Sequence, residues 1–587
     1  MLEFLLKVKF WYNPNILAIF ALLVFSIFAL KDLARPGFYT SHDGETHVAR
    51  IAQYYQALSD GQIPPRWAKT LNGGFGSPIF VYIYPLPYLF GSVIHFFGFS
   101  FTDSFEILIA LTFIFSAIFT FLWLKEVFKS TNAAFVGALF YTWVPYRFSL
   151  IYVRGSISES LAYTFVPALL WSLTKLSKNI NLKTMSLAGL FTAAVLLSQN
   201  LVAYMVLPWI IFYVLTLGIL RKSRVFFLAA SLAGFWGLLI ASVTYIPVIF
   251  ERGLIRFDEK FVLVYKSHFV AVSQLIHSPW DYGFSLPSIN DGMSFQIGLA
   301  HILAMFLALT VILLVFLKNN KSLSSIFDHL VLSPSKLESV LSTFFFLILI
   351  VSLFFLLETK ATVFFWKYFE PIQFIDLPWR FLGIAALATS FLAAFVTKAV
   401  KSRILAILLI TAVIIANRNH LRINQSVYFN DGHFLQFEGT ATQFNEFNPK
   451  TRRSSVVPDD FVSPIESIKG KIYLTDFYQK SNVLTFKSEN EKPSRIQVNL
   501  LKFKGWQVFI DGQKFTDDYS LVDESFYFTY RPDIDTSGLY DLIVPPGKHN
   551  FIFKYQETPL RASANAISAL SLILALAIIV KKRHAEV

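Results

Sequence analysis

The chain contains no cysteine among its 587 residues. This absence excludes disulfide bonds, thiolate metal sites and a cysteine nucleophile. Charged residues are also scarce, at 15% of the chain against 55% hydrophobic residues, and the mean hydropathy is +0.54. No P-loop, G-x-S-x-G, H-E-x-x-H or dinucleotide-binding fingerprint occurs in a suitable strand–helix setting, which argues against ATP-driven transport and serine hydrolysis.

Long apolar runs dominate what is present. Many of them reach the roughly 20 residues that a helix needs to cross about 30 Å of hydrocarbon, so we predict a polytopic α-helical membrane protein with about 12–13 spans. The first run, at 16–30, follows Lys7 and Lys9 and has no small-residue cleavage site, which favours a retained span over a signal peptide. The later predicted spans are 133–146, 160–174, 184–198, 202–220, 225–249, 297–317, 339–357, 382–397, 404–416 and 564–580.

One region does not fit this assignment of spans. Two apolar segments, 79–98 and 105–124, occur where the charge pattern requires a single crossing. Pro78, Pro85 and Pro87 disfavour a regular helix in the first segment. A re-entrant or surface-lying segment and a local failure of the charge rule both remain open.

The net charge of +13 has a simple explanation in a membrane protein. Lysines and arginines cluster in the short loops between spans, as is typical of loops that stay in the cytoplasm, so we do not predict nucleic-acid binding. This assignment places the N-terminus in the cytoplasm. It places five segments, which we call the external loops, on the other side of the membrane, at 32–78, 147–159, 251–296, 358–381 and 417–563.

The last external segment has a different composition. Its hydrophobicity falls, and short alternating runs such as 471–475, 495–499 and 506–510 are separated by turn signals. Strands at this spacing predict a small β-sandwich. We therefore divide the chain into a transmembrane domain at 1–416 with an external loop at 32–78, a β-sandwich domain at 417–563, and a C-terminal anchor with a basic tail at 564–587.

The first external loop gathers ionisable groups at 41–47 (SHDGETH). A carboxylate near the membrane surface can act as a general base toward a hydroxyl, and Asp43 is our candidate for that base. We predict that His42 and Glu45 also belong to the catalytic site. A divalent cation held by Asp43 and His47 is a weaker hypothesis, because His-x4-His is no recognised ligand spacing. The alternative is a solvated loop in which Asp43 caps the next helix.

The other external loops carry arginines beside aromatic residues. We predict that these side chains, with nearby polar groups, bind the substrate or its phosphate, since a guanidinium suits two phosphate oxygens at once. The alternatives are interfacial anchoring by the aromatic rings and a simple Arg154–Glu159 ion pair. The candidates are Arg66, Trp67, Arg147, Arg154, Glu159, His268, Trp379 and Arg380.

The motifs at 41–50, 58–67 (LSDGQIPPRW), 72–78 (NGGFGSP) and 84–88 (YPLPY), with 145–147, 152–155 and 378–380, resemble one bacterial membrane family. It is labelled 6-pyruvoyl-tetrahydropterin-synthase-related, a name that describes neither this chemistry nor this fold. The family resembles the GT-C glycosyltransferases, in which an acidic residue follows the first span. Gly44 separates the usual Asp-Glu pair, and Gln199 stands where the family suggests histidine. The tail, at 505–512 and 546–555, is similar to the β domain of YfhO-type proteins.

The resemblance implies a GT-C-like membrane glycosyltransferase of the bacterial cytoplasmic membrane, with its β domain outside the cytoplasm. Its donor would be a polyprenyl-phosphate-linked sugar and its acceptor a glycan, lipid or protein. Asp43 would be the general base, and Mg²⁺ or Mn²⁺ an optional cofactor. The alternative is a non-catalytic scaffold or carrier that binds glycolipid or polysaccharide during cell-envelope assembly.

Overall fold

The computed structural model of the protein describes residues 13–257, 264–287, 289, 291–318, 332, 334–437, 439, 445–451, 463–515 and 538–581. The chain forms a helical bundle followed by a β unit, which comprises residues 463–515 and 538–557, and a final helix that returns to the bundle. The basic tail predicted at the C-terminus lies outside the described residues from 582 onward.

Twelve helices of 15 residues or more build the bundle in the described part of the chain. They are Pro14–Ala29, Gly44–Ser59, Phe101–Phe128, Ile157–Lys178, Leu182–Ser198, Asn200–Arg221, Arg224–Glu251, Leu299–Lys318, Lys336–Leu356, Phe381–Val400, Arg403–Asn417 and Pro559–Val580. Many begin where the sequence offers a cap. Ser100, Ser223 and Thr558, for example, each accept a hydrogen bond from a backbone N–H of the first turn.

Shorter helical elements connect them. They are Ile79–Tyr82, Leu86–Phe96, Thr131–Thr142, Pro145–Phe148, Val272–Ile276, Lys360–Tyr368 and Asp431–Leu435, a π-helical turn at Ser149–Val153, and 3-10 turns at Lys31–Ala34, Arg252–Leu254, Val264–Ser267, Glu370–Phe374, Pro378–Arg380 and Arg418–His420.

Eight helices of the described residues are long and apolar enough to cross a membrane. The predicted polytopic helical fold is therefore confirmed, with fewer such helices than the predicted spans. The span expected at 133–146 is only the 12-residue helix Thr131–Thr142. The helices Pro14–Ala29 and Leu182–Ser198 are apolar but shorter than the usual spanning length, at 16 and 17 residues.

The two difficult apolar segments differ as their prolines predict. The segment at 105–124 lies within the long helix Phe101–Phe128. The segment at 79–98 is broken into Ile79–Tyr82 and Leu86–Phe96. The second piece has 11 residues and rises about 16 Å, too little to cross a bilayer as a single helix.

The β unit contains two antiparallel sheets. The five-stranded sheet has the order Tyr473–Gln479, Val483–Asn490, Gly547–Tyr555, Trp506–Ile510 and Gln513–Phe515, and the three-stranded sheet has the order Ile465–Lys469, Ser494–Leu501 and Leu539–Val544. Phe486 and Phe551 of the first sheet share one buried core with Ile496 and Leu542 of the second. Two sheets facing one core form the predicted β-sandwich. A further short pair joins Phe38–Tyr39 to Ser426–Val427 in the helical part.

Basic groups assigned to the cytoplasmic side meet at one end of the bundle. Glu126 binds Lys129 at 2.8 Å and Lys178 at 2.5 Å, although these lysines belong to different predicted loops. The helix Ile157–Lys178 therefore places Lys178 at this end and its first residues at the other. Arg154 and the loops that carry the predicted site lie at that other end, which we call the loop end.

Candidate functional site

Asp43 lies directly before the helix Gly44–Ser59, which we call the first-loop helix. It occupies the N-cap position, but its side chain makes no capping hydrogen bond. Its backbone N–H donates to the carbonyl oxygen of Arg154 at 2.8 Å, and its Oδ2 lies 3.4 Å from Nη2 of Arg154. The Asp43 side chain is 44% exposed, so its carboxylate is held from one side and open on the other.

Glycine permits the close approach of these two segments. A Cβ atom added to Gly44 or to Gly155 would lie 2.3 Å from Oγ of Ser41. Gly155 also has a positive φ of 61°, which a residue with a side chain rarely adopts. The loop that carries Arg154 can therefore lie against the loop that carries Asp43 because Gly155 lacks a side chain, whereas Gly44 leaves room for Ser41 and Phe38 of its own loop.

Behind Asp43 lies a buried network centred on Glu159, whose side chain is fully buried. Its Oε2 accepts hydrogen bonds from Nη1 of Arg154 at 2.6 Å and from Nη1 of Arg380 at 2.5 Å, and its Oε1 accepts one from the Tyr146 hydroxyl at 2.5 Å. Arg380 also donates from Nε and Nη2 to both oxygens of Asp376, at 3.0 and 3.2 Å. We call Asp43, Arg154, Glu159, Asp376 and Arg380 the carboxylate–arginine cluster.

The cluster brings together residues that are far apart in the sequence. Glu159 and Arg380 are 221 positions apart, and Arg154 and Asp43 are 111 positions apart. The first, second and fourth of the loops predicted to be external therefore meet here. Three carboxylates face two guanidinium groups, so within the cluster the arginines are neutralised and the surplus charge is negative.

Aromatic rings enclose the arginines. The guanidinium carbon of Arg154 lies 5.0 Å from the centre of the buried Trp379 ring, and that of Arg380 lies 5.8 Å from it. Tyr146 and Phe295 pack against the same indole at 6.2 and 5.6 Å. A cation held between a carboxylate and an aromatic face is protected from water, which strengthens its interaction with charge.

His42 connects the cluster to the third external loop. Its Nε2 lies 3.1 Å from the carbonyl oxygen of Tyr282 and therefore carries the proton, and its ring stacks on Phe284 at 4.4 Å. Burial lowers the pKa of His42 from its usual value, which favours the neutral ring. His268, whose pKa is also lowered by burial, has its Nδ1 2.9 Å from Oγ of Ser285. This contact lies within the third loop, and it is Tyr282 and Phe284 that bring that loop to His42.

Two predicted substrate ligands lie elsewhere. Arg66 donates from Nε to Glu557 at 2.9 Å, from Nη1 to the carbonyl oxygen of Val243 at 3.1 Å, and from Nη2 to Asn565 at 2.7 Å. Trp67 is buried in the core of the β unit. The prediction that this pair meets a lipid phosphate or the membrane interface is wrong, because all three guanidinium nitrogens already have partners within the protein.

Arg147 is also outside the cluster. Its Nη2 donates to Oγ of Ser116 at 3.0 Å, and its Nη1 donates to the carbonyl oxygen of Ser160 at 3.4 Å. The side chain is buried between the helices Phe101–Phe128 and Ile157–Lys178. These contacts do not fit the predicted phosphate contact.

Glu45 and His47 turn away from Asp43. Glu45 binds Nε2 of His433 at 2.8 Å, and Nδ1 of His47 lies 3.2 Å from the Tyr88 hydroxyl. The described residues contain no group of three or more His, Asp or Glu side chains that could hold a metal ion. The side chains around Asp43 therefore do not fit the metal site of the weaker hypothesis, and we assign no chemical step to a cation.

Some site residues were missed by the sequence analysis. Asp376 neutralises Arg380 and precedes it by four positions, a spacing at which a pair can form within one turn. Tyr146 lies inside a motif that was recognised for its neighbour Arg147. Phe284 had no distinctive signal, because its role depends on the loop that carries it over His42.

Comparison with known proteins gives the following similarities. A family model described as a 6-pyruvoyl-tetrahydropterin synthase related domain, membrane protein, matches residues 80–429. An uncharacterized protein of Lactococcus lactis subsp. cremoris (strain MG1363) is 28% identical over 207 residues, which cover 35% of this chain and 34% of that protein. The chain thus matches about a third of that relative's length.

Two solved structures are also similar. The cryo-EM structure of arabinofuranosyltransferase AftD from Mycobacteria aligns with a TM-score of 0.42 and 11% identity, over 69% of this chain and 27% of AftD. A structure of an AftD mutant aligns with a TM-score of 0.40 and 14% identity, over 68% and 27%. The chain thus spans about a quarter of the length of AftD.

Proposed function

The chain belongs to the 6-pyruvoyl-tetrahydropterin-synthase-related family of membrane proteins, and from this premise we propose that it is a membrane glycosyltransferase. It would move a sugar from a polyprenyl-phosphate donor to a glycan, lipid or protein acceptor. We place it in the bacterial cytoplasmic membrane, with the loop end outside the cytoplasm. The single observation that supports the proposal most is the half-exposed Asp43 carboxylate, held against Arg154 at the meeting point of the external loops.

The reaction we propose is a single displacement in which Asp43 takes up the proton of the acceptor. The acceptor hydroxyl gives its proton to a carboxylate oxygen of Asp43 while its own oxygen attacks the anomeric carbon of the sugar. The open side of Asp43 leaves room for the acceptor. We give His42 a positioning role, because its Nε2–H donates to the Tyr282 carbonyl and its ring stacks on Phe284.

The polyprenyl phosphate departs in the same displacement, as the acceptor oxygen attacks. The bond between the anomeric carbon and the phosphate oxygen breaks, and the phosphate keeps the bonding electrons and gains negative charge. Attack on the face opposite the leaving group inverts the configuration. As Asp43 becomes protonated it loses its charge, and Nη2 of Arg154 is then free to attract the phosphate.

Arg380 has a positioning role in this proposal. Its guanidinium uses Nε and Nη2 for Asp376 and Nη1 for Glu159, so each of its three nitrogens already donates to a carboxylate of the cluster. It fixes Glu159, and Glu159 in turn orients Nη1 of Arg154. Among the predicted phosphate ligands, Arg154 is therefore the one we assign to the donor.

The test is transfer of radiolabelled sugar from a polyprenyl-phosphate donor in proteoliposomes. Asp43→Asn keeps the size of the side chain but removes the base, so we expect about a 10²–10⁴-fold loss of rate with insertion and folding unchanged. Asp103→Asn is the matched control, because Asp103 is an exposed aspartate outside the cluster. Wild-type turnover by Asp43→Asn would refute Asp43 as the base, and donor binding without turnover by the wild type would favour the scaffold alternative.

A further inference from the structure

The five-stranded sheet of the β unit turns one face away from the protein core. In Val483–Asn490, the side chains of Leu484 and Phe486 are buried, whereas Lys487 and Glu489 are exposed. The register continues this alternation across the sheet, because Phe551 faces Phe486 in the core layer and Ile552 faces Thr485 in the outer layer. Side chains that alternate with the core residues therefore form a second, outward face.

Two tyrosines mark one edge of that face. Tyr473 and Tyr478 are 59% and 50% exposed and pair in register with Glu489 and Thr485 of the neighbouring strand. Because Glu489 and Thr485 are four residues apart, the two rings are separated by about 13 Å along the sheet. Large aromatic side chains this exposed, on a strand whose neighbour positions are also exposed, are typical of contact surfaces.

Four lysines share the face with the tyrosines. Lys487 lies between the two rings, in register with Thr475, while Lys548 and Lys554 stand on the next strand and Lys514 on the last. Lys487 binds Asp476 at 2.8 Å and Lys548 binds Glu489 at 3.4 Å. All four of these paired side chains are at least 59% exposed. Such surface pairs are weak and exchange readily for a ligand's charges.

We propose that this lysine–tyrosine face, defined by Tyr473, Tyr478, Lys487, Lys514, Lys548 and Lys554, binds a polyanionic glycan. Four lysines against Asp476 and Glu489 leave a positive surplus that complements carboxylate or sulfate groups. The tyrosine rings offer flat apolar faces for sugar rings, and Thr475, Thr485 and Asn550 offer hydrogen bonds to sugar hydroxyls.

The face fits an extended chain better than a membrane surface. Its exposed outward side chains are mainly lysines and tyrosines, and the apolar Ile552 and Phe509 of the same face are only partly exposed. A membrane-inserting surface needs protruding apolar residues instead. The inference concerns a unit of the chain other than the one that carries Asp43. It stands or falls without the proposed transferase activity.

The experiment measures binding of fluorescent dextran sulfate and polygalacturonate to the purified full-length protein, with uncharged dextran as the neutral comparison. We expect both anionic polymers to bind in a salt-sensitive way and dextran to bind far more weakly. Lys487→Ala with Lys554→Ala should weaken binding about five- to tenfold, the size expected when two exposed charge contacts are lost. Tyr473→Ala with Tyr478→Ala should weaken binding of polygalacturonate without changing its salt dependence.

Matched controls separate this face from the overall positive charge. Lys469→Ala removes an exposed lysine from the other sheet, and Tyr428→Ala removes an exposed tyrosine from the helical part, so both should bind as the wild type does. Thermal midpoints of all variants are measured to exclude unfolding. Equal binding by the Lys487/Lys554 double variant and the Lys469 control would overturn the proposal. It would also be overturned by absence of anionic polymer binding, or by binding only to phosphatidylglycerol vesicles.

Discussion

At the scale of single residues, Glu159 is the buried carboxylate on which two arginines depend. It has no exposed side-chain surface and accepts one hydrogen bond from each of Arg154 and Arg380. Glu159→Gln removes the negative charge that the buried guanidinium groups of Arg154 and Arg380 share. We expect a loss of about 3–5 kcal/mol in stability, seen as a lower thermal midpoint in detergent.

Tyr146→Phe provides the comparison for Glu159→Gln. It removes only the hydroxyl that donates to Oε1 of Glu159 and leaves the ion pairs in place. A loss of about 1–2 kcal/mol is expected from one buried hydrogen bond. Equal midpoints for the two variants would mean that charge neutralisation by Glu159 is not what stabilises the cluster.

His47 makes stability depend on pH. Burial first, and then Arg50 and Arg154, lower its pKa well below the usual value, so the folded protein disfavours the protonated ring. The unfolded chain binds that proton more readily than the folded one, and the stabilisation present above about pH 6.5 is lost as the pH falls below it. We expect His47→Gln to have a lower thermal midpoint at pH 7.5 but a smaller further decrease at pH 5.

The exposed His277 supplies the control for this titration. His277→Gln removes a histidine that the fold leaves in contact with solvent, so its thermal midpoint should fall between pH 7.5 and pH 5 as much as that of the wild type. An identical pH dependence in His47→Gln and the wild type would show that another group causes the loss on acidification.

At the scale of elements, the first-loop helix is joined to the β unit at its far end. Oδ2 of Asp60 accepts a hydrogen bond from the backbone N–H of Ser481 at 2.7 Å, and the Asp60 carbonyl accepts one from Asn482 at 3.2 Å. Gln62 donates to Oγ of Ser481 at 2.9 Å. The helix that presents Asp43 at its start is thus held at its end by the turn Ser481–Asn482.

Arg66 also contributes to the contact between the first-loop helix and the β unit, because it binds Glu557. Its role is therefore structural, unlike the donor-binding role proposed for Arg154. Arg66→Met removes three hydrogen bonds and leaves Glu557 partly buried without its partner, so we expect a loss of about 2–3 kcal/mol in stability. Its affinity for a polyprenyl phosphate should equal that of the wild type. Arg154→Met should instead weaken that affinity. A weaker affinity in Arg66→Met at an unchanged thermal midpoint would return Arg66 to the donor site.

These two arginines also show how far the sequence could predict the site. The segments 64–67 and 378–380 both place proline, arginine and tryptophan together at a predicted membrane edge, and the same role was predicted for both. Only Arg380 reaches the cluster, because Asp376 and Glu159 are its partners. Glu557, the partner of Arg66, is 491 positions away in the sequence. A local sequence pattern cannot predict an ion pair between residues so far apart. The convergence on Asp43 was predictable because charge placed those loops at one end of the bundle.

At the scale of the whole molecule, the orientation in the membrane is a prediction that this chain is well suited to test. It has no cysteine, so a single introduced cysteine is the only thiol available to a reagent. Asn179 is exposed at the end of the bundle where Lys178 meets Glu126, and Lys492 is exposed in the β unit. With the basic loops in the cytoplasm, Lys492→Cys in intact cells should react with a membrane-impermeant maleimide, whereas Asn179→Cys should react only after permeabilisation. Labelling of both positions from outside would contradict the placement of the bundle's basic end in the cytoplasm. The reverse pattern would put Asp43 on the cytoplasmic side, where the proposed donor and acceptor would have to be sought instead.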